Sequence, residues 1–390
     1  MGWGLRTVCA CASALLLSAG SAAAVSGTHA PAWGSDLFGT NIVPLAIQIP
    51  PATLESLRNN SDSHGYVPCT VVSGSDSLTN VGIHCRGNPA KELATGKPDL
   101  IVTFDKFAKK QRFHGQRRLV LQAGRDDPSY VAVPIVCEMF RQADVPAPRC
   151  GYARVRFNGR DLGLYVLIEG VEKEFIQQHF GRVDGNLYDE GDPPDVTGRL
   201  EKASGGDKSD QSDADTLAAV ALLADPAERW KGLQQRLDVD RFLTFTALEV
   251  LWWLSDSYSL DAHKFRLYHD PTSNRFVFFP KNVEEVLRRT DGPAVPECRG
   301  VVARAVLTTP EGNALYRQTL ARLLATTFEP NKVQARARSL AAAIRPAAVG
   351  EDAAAGKAFD DAVARLCEAV SQRASLVSSE LKVASAAKSQ

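Results

Sequence analysis

The side chains of this 390-residue chain best suited to chemistry fall into two groups, and the later one is the denser. It comprises Ser255-Asp256-Ser257-Tyr258, then His263-Lys264-Phe265-Arg266, then Phe279-Pro280-Lys281-Asn282-Val283-Glu284. Asp256 follows Trp252 and Trp253. A carboxylate beside two indoles is partly desolvated and poised to act as a base. The same Asp would serve equally well as a helix-terminal or turn-forming residue. Asn282 and Glu284 follow a strand end, a natural place for oxygen ligands to a divalent cation and equally for a solvated turn. The earlier group is Cys85-Arg86-Gly87-Asn88-Pro89, with Lys97 further on. Gly87 lets the backbone approach a phosphate, and Arg86 and Lys97 add positive charge. An ordinary hairpin end with surface cations has the same composition. Phosphoryl transfer needs parts of these kinds: a flexible turn and cations for the phosphates, a metal ligand, and a carboxylate that orients the attacking hydroxyl.

The elements that must position these groups change in kind along the chain. Val43–Ile49 alternates as a strand does, and a short helix follows with Pro51 in its first turn. Residues 66–72 and 80–85 read as a hairpin joined by the Ser/Gly/Asp-rich turn 73–79. Strands are predicted at 100–104, 118–122, 152–157 and 164–169, the last two flanking Asn158-Gly159. A helix from Asp127 to about Gln142 is stopped by Pro146 and Pro148. Residues 190–215 are loose, rich in Asp, Gly, Ser and Pro. Beyond them helices dominate, interrupted by one hairpin at 264–280. The expected class is therefore α+β, with strands gathered in the first half and helices in the second.

Composition narrows the function. The 45 basic residues balance 45 acidic ones, which gives no global pull toward nucleic acid or an anionic membrane. Residues 1–24 have one charge at Arg6, an apolar run from Val8 to Leu17 and a small-residue close at Ser21–Ala24. That is the layout of a removable secretory signal and is too short for a membrane span, so export is expected. Residues 25–38 read as a flexible leader and 381–390 as a flexible tail. Six cysteines lie beyond the export segment, an even count that permits disulfides in an exported chain, and Cys69 with Cys85 flank the first predicted hairpin. No Gly-x-Ser-x-Gly elbow and no His-Glu-x-x-His helix points to a hydrolase.

Several stretches, in order, resemble the CotH kinase family. They include Asn80-Val-Gly-Ile-His-Cys-Arg-Gly-Asn88, Lys97-Pro98 leading to Phe104-Asp105-Lys106-Phe107, and Asp127-Pro-Ser129. Phe157-Asn-Gly159 with Gly163-Leu-Tyr-Val-Leu-Ile-Glu169, Gly185-Asn-Leu-Tyr188, Leu237-Asp-Val-Asp-Arg-Phe242 and Leu267-Tyr-His-Asp-Pro271 continue the series. The resemblance implies a two-lobed atypical protein-kinase-like fold, a β-rich N-lobe over 39–170 and a mainly helical C-lobe over 171–380. It implies ATP and Mg²⁺ or Mn²⁺ as cofactors and protein Ser/Thr hydroxyls as acceptors. Carried over by position, Arg86, Gly87 and Asn88 form the phosphate-side loop, and Lys97 pairs with phosphates. Ile168 and Glu169 form a hinge strand, and Asp256 is the catalytic aspartate. Family members often have Asn where Lys264 stands, and usually Asp at the position of Asn282, Glu284 or both. Lys264 either neutralises phosphate charge as a metal would or salt-bridges Glu284 and blocks the site. The resemblance therefore leaves two functions: an exported Ser/Thr kinase, or a degraded pseudokinase that binds a protein or surface partner.

Overall fold

The computed structural model describes residues 1–2, 36–59, 65–94, 96–350 and 352–387. Nearly all of the predicted export segment and most of the predicted leader lie outside these residues. In the first half, strands β1 (Ile42–Gln48), β2 (Val67–Ser73), β3 (Asp76–Cys85), β4 (Leu100–Thr103), β5 (Arg118–Gln122), β6 (Cys150–Phe157) and β7 (Arg160–Glu169) close into a barrel in the order β1-β2-β3-β4-β5-β7-β6. Every neighbouring pair is antiparallel except the closing one: β1 runs parallel to β6, from Ile42 opposite Tyr152 to Ile47 opposite Phe157. The alternating pattern of the strands decides which side chains fill the barrel. On β6 and β7, Ala153, Val155, Tyr165 and Leu167 point inward, whereas Tyr152, Leu164 and Val166 join the core outside it.

That outer core packs the barrel against the helix Ala132–Gln142 and against the second half of the chain. There, β8 (Asn186–Asp189), β9 (Glu201–Ser204), β10 (Phe265–Asp270) and β11 (Arg275–Pro280) form a sheet in the order β11-β10-β8-β9. The helix Val239–Leu251 is buried at every residue from Phe242 to Leu251, and apart from Thr244, Thr246 and Glu249 that stretch is apolar, as an enclosed helix requires. Asp238 caps it, accepting the Arg241 N–H at 3.2 Å. Further helices surround it, ending with Pro330–Val349 and Ala353–Ala387.

The two-lobed protein-kinase-like arrangement expected from the sequence is not the one the chain adopts. The first half is a closed seven-stranded barrel, because β1 finds β6 and removes the free edges an open sheet would keep. The second half is not simply helical, since β8 to β11 form a sheet within it. Two local expectations also change. The first hairpin turns on Gly74 and Ser75 alone, with Ser73 opposite Asp76 and Gly74 at φ +56°, rather than on a seven-residue loop. Cys69 and Cys85 are not joined: Cys69 faces Val81, Cys85 faces Leu100, and all six cysteines are free thiols.

One long-range tie holds the last helix to the core. Arg373 is fully buried, hydrogen-bonds Val250 O at 2.8 and 3.1 Å, donates to Gly292 O, and lies 4.8 Å over the Trp253 ring. Burial without a carboxylate in contact pulls its guanidinium down to about 10. Replacing Arg373 with Met keeps the volume but removes the donor of Gly292 O and the guanidinium's bonds to Val250 O, which keeps the Trp253 N–H. Urea unfolding should show a loss of about 3 kcal/mol; a loss under about 1 kcal/mol would mean that solvent or other groups satisfy these carbonyls.

Candidate functional site

Where the rim of the barrel meets the second sheet, a cavity of about 490 Å³ opens, within the range that small-molecule sites occupy. Its barrel wall is built from strand ends. β3 finishes at Cys85 and delivers Arg86 and Gly87; β7 finishes at Glu169 and delivers Ile168, Gly170 and Val171. Its other wall is the end of β10 and β11, with Arg266 and Pro280 through Val283. A small cleft shares that last stretch and is lined in addition by Glu249, Asp256, Lys264 and Glu284. The fold thus brings Arg86, Gly87, Ile168, Glu169 and Asn282 to one cavity, and Asp256, Lys264 and Glu284 to the cleft beside it.

Each of these residues has a local reason for its place. Gly87 sits at φ +92°, a left-handed backbone that suits glycine and turns the chain over the cavity. Asn88 is exposed and is used otherwise: its Oδ1 accepts the Lys91 N–H at 3.0 Å at the start of the helix Pro89–Ala94. Ile168 pairs on one side with Val120 and on the other with Cys150, so its backbone belongs to the barrel and only its side chain is offered to the cavity. The Glu169 carboxylate is buried and held by Arg149 through Nε at 3.0 Å and Nη2 at 2.5 Å. It anchors the strand end rather than reaching for a ligand. Gly170, which sequence reasoning passed over, continues the wall. A Cβ there would lie 2.7 Å from Arg118 O, so the close approach of the two backbones requires glycine.

Lys97 is placed away from the cavity lining. Its ammonium donates to Tyr130 OH at 2.7 Å and lies 5.0 and 5.1 Å over the rings of Tyr130 and Tyr165. Burial pulls it down to about 8, with Asp99 opposing the shift.

The electrostatics of the cleft follow from two pairings. Arg86, from the barrel, forms an ion pair with Glu284, from the second half; each side chain is about one-fifth exposed. Lys264 Nζ stands 4.0 Å from Asp256 Oδ2. Two of the three cations expected to meet phosphate, Arg86 and Lys264, therefore face the two carboxylates expected to act in catalysis and metal binding. Lys264 meets Asp256 and not Glu284, contrary to one of the two roles its position suggested. Asp256 is pushed up by burial, held back by Lys264, and pushed further by Glu284 and Glu285.

Several participants were not singled out from sequence. Arg266 bonds Asp189 at 2.7 Å, and Lys281 lies 3.8 Å from Asp189 and 3.5 Å from Glu190. Glu190 also accepts the Lys264 N–H at 2.5 Å. Asp189 and Glu190 directly follow the Gly185–Tyr188 motif, and their acidity next to a strand end was the available clue. Glu249 is fully buried at the back of the cleft and accepts the N–H groups of Tyr258 and Ser259 at 3.3 and 2.9 Å. It fixes the turn that carries Asp256.

Comparison with known proteins places this arrangement. Residues 83–377 match the family described as CotH kinase protein, well over half of the chain. The chain belongs to the CotH family. It is similar to the inner spore coat protein H of Bacillus subtilis (strain 168), with 21% identity over 265 residues covering 62% of this chain and 71% of that protein. The matched segment starts within β3 and reaches into the last helix, so it contains both walls of the cavity.

The two cofactors implied by the resemblance fit the site unequally. A nucleotide fits: the cavity has the volume, an apolar wall at Val120 and Ile168, and cations at Arg86, Arg266 and Lys281. A divalent cation does not fit the donors as they stand. Among the described residues no three His, Cys, Asp or Glu side chains converge, and Asp256 and Glu284 each face a protein cation.

Burial pushes the Glu249 carboxyl up to about 8. A group whose value is raised on folding contributes stability that is complete below its ordinary value and is lost as pH rises through the folded one. Thermal melts from pH 5 to 9 should therefore show a decline that the Glu249→Gln variant lacks, beside a general loss of about 1 kcal/mol for one weakened hydrogen bond. A parallel decline in the variant would remove Glu249 as its source.

Proposed function

We propose that this CotH-family chain is an exported ATP-dependent phosphotransferase that passes the terminal phosphoryl group to Ser/Thr hydroxyls of a protein. The observation that carries this reading is the Arg86-Gly87 turn lining a cavity of nucleotide size, with the small cleft of Asp256, Lys264 and Glu284 directly beside it. In the cavity, Val120 and Ile168 give the base an apolar surface, and Gly87 lets the phosphates come close to the backbone. Arg86, Lys264 and Lys281 meet the charge that spreads over the phosphoryl oxygens. Asp256, raised by burial, accepts a hydrogen bond from the acceptor hydroxyl and orients it in line. Binding, orientation and proton acceptance belong to the chain's own residues.

Two facts support export: the N-terminal pattern of residues 1–24, and the name of the Bacillus subtilis relative, which is that of a spore coat protein. No described helix is long and apolar enough to cross a membrane. The balanced charge gives no reason to expect nucleic acid as a partner.

A second reading has its own observation. The Arg86–Glu284 pair and the Lys264–Asp256 approach satisfy the site internally, as in a degraded relative that binds a surface or protein partner without transferring phosphate.

Asp256→Asn separates the two. With labelled ATP and a Ser/Thr-containing acceptor, the variant should lose transfer by a factor of about 100 or more while still binding ATP. Undiminished transfer would remove Asp256 from the reaction. Binding without transfer in the unaltered protein would favour the second reading.

A further inference from the structure

This inference rests on the nucleotide reading of the cavity and concerns how the same site balances charge. Two carboxylates and two cations face one another in the cleft: Glu284 with Arg86, and Asp256 with Lys264. Lys264 is built in firmly. Its N–H donates to Glu190 Oε2 at 2.5 Å, and its carbonyl accepts the Lys281 N–H at 2.8 Å. Its backbone is left-handed, φ +55°, a conformation that costs a lysine energy and comes easily only to Gly, Asn or Asp. A backbone kept in such a conformation, with both its groups bound, fixes the point from which the side chain leaves, and from there the ammonium reaches 4.0 Å from Asp256 Oδ2.

A hard dication needs several oxygen donors in near-octahedral order. At this place it would meet the Lys264 ammonium as a like charge and would have to displace Arg86 from Glu284. The other nearby carboxylates are engaged as well. Glu285 accepts the Ser255 hydroxyl at 2.7 Å, and Asp189 bonds Arg266 at 2.7 Å. A polyphosphate is attracted by the same cations, at the cost of releasing Glu284 and Asp256 from them. It is an anion and can take the place of one carboxylate against Arg86 and of the other against Lys264, exchanging one anionic partner for another.

We propose that this chain binds the free nucleoside polyphosphate without a divalent cation, with the Lys264 ammonium occupying the place and the charge role of the metal. Binding of ATP therefore gains nothing from Mg²⁺ or Mn²⁺ and is weakened to the extent that the metal ties up the free nucleotide. Removing the ammonium while keeping the left-handed backbone, as Lys264→Asn does, leaves Asp256 without its nearest cation, beside Asn282 and the Arg86-paired Glu284, and makes binding metal-dependent.

The test is calorimetric titration of the full chain with ATP in EDTA, in excess Mg²⁺ and in excess Mn²⁺, repeated on Lys264→Asn after its melting curve has shown it folded. The expected result is a Kd for the unaltered protein that is no tighter in excess Mg²⁺ or Mn²⁺ than in EDTA. In the variant, ATP should bind at least about tenfold more tightly with metal than in EDTA. Binding of the unaltered protein that is tenfold tighter with metal overturns the proposal while leaving the nucleotide reading intact. A variant that, like its parent, binds no more tightly with metal than in EDTA overturns the role of Lys264. Absence of ATP binding in all three conditions overturns the nucleotide reading itself.

Discussion

The parallel pairing of β1 with β6 is the constraint from which the geometry of the site descends. It converts a run of antiparallel strands into a closed cylinder, and closure fixes the tilt and stagger of every strand at once. The ends of β3 and β7, which approach different neighbours, are thereby held at one rim. Neither can slide without shifting the register of the whole barrel, because a slip of one residue would turn Tyr165 and Leu167 out of the interior and Leu164 and Val166 into it. The rim is therefore a rigid half of a cavity whose other half is the β10–β11 end of the second sheet.

What crosses between these halves is mostly charge. Arg86 reaches Glu284, and Arg288 reaches Asp126 at 3.2 Å. The second pair is about half exposed and worth little by itself. The first is largely withdrawn from water, so that removing either partner would leave the other uncompensated. Behind them, apolar packing carries the load: the helix Val239–Leu251 is enclosed on all sides, and Glu249, the one ionisable group among its buried residues, is turned to hold the backbone of the Asp256 turn. The site is thus supported by the core directly beneath it, through a single carboxyl whose burial raises its own proton affinity.

Part of this was legible in the sequence. The strand pattern, the Asn158-Gly159 hairpin and the grouping of Asp256, Lys264 and Glu284 rest on short-range spacing, and short-range spacing survives folding. Lys97 shows the limit. Its type and its distance from Gly87 suit a phosphate ligand, yet Tyr130 and Tyr165, brought in from other elements, hold its amine away from the cavity lining. Asn88 shows another: the same side chain that suits a phosphate loop also suits the start of a helix, and the helix takes it. Arg266 and Lys281 were visible as basic residues but not as lining groups, since which face of a hairpin looks into a cavity depends on what lies opposite.

By itself the sequence determined the local elements, the balance of charge, the family and the identity of the groups near Asp256, because these follow from residue type and near-neighbour spacing. The tertiary structure alone decided that the first half closes as a barrel, that Arg86 meets Glu284, and that a lysine rather than a metal-ligand set stands beside Asp256. The first two are contacts between residues far apart in the chain, and the third depends on which of several neighbouring charges pair. Such contacts are set by packing and by the competition among possible partners for the same buried charge, and no stretch of sequence holds both sides of that competition.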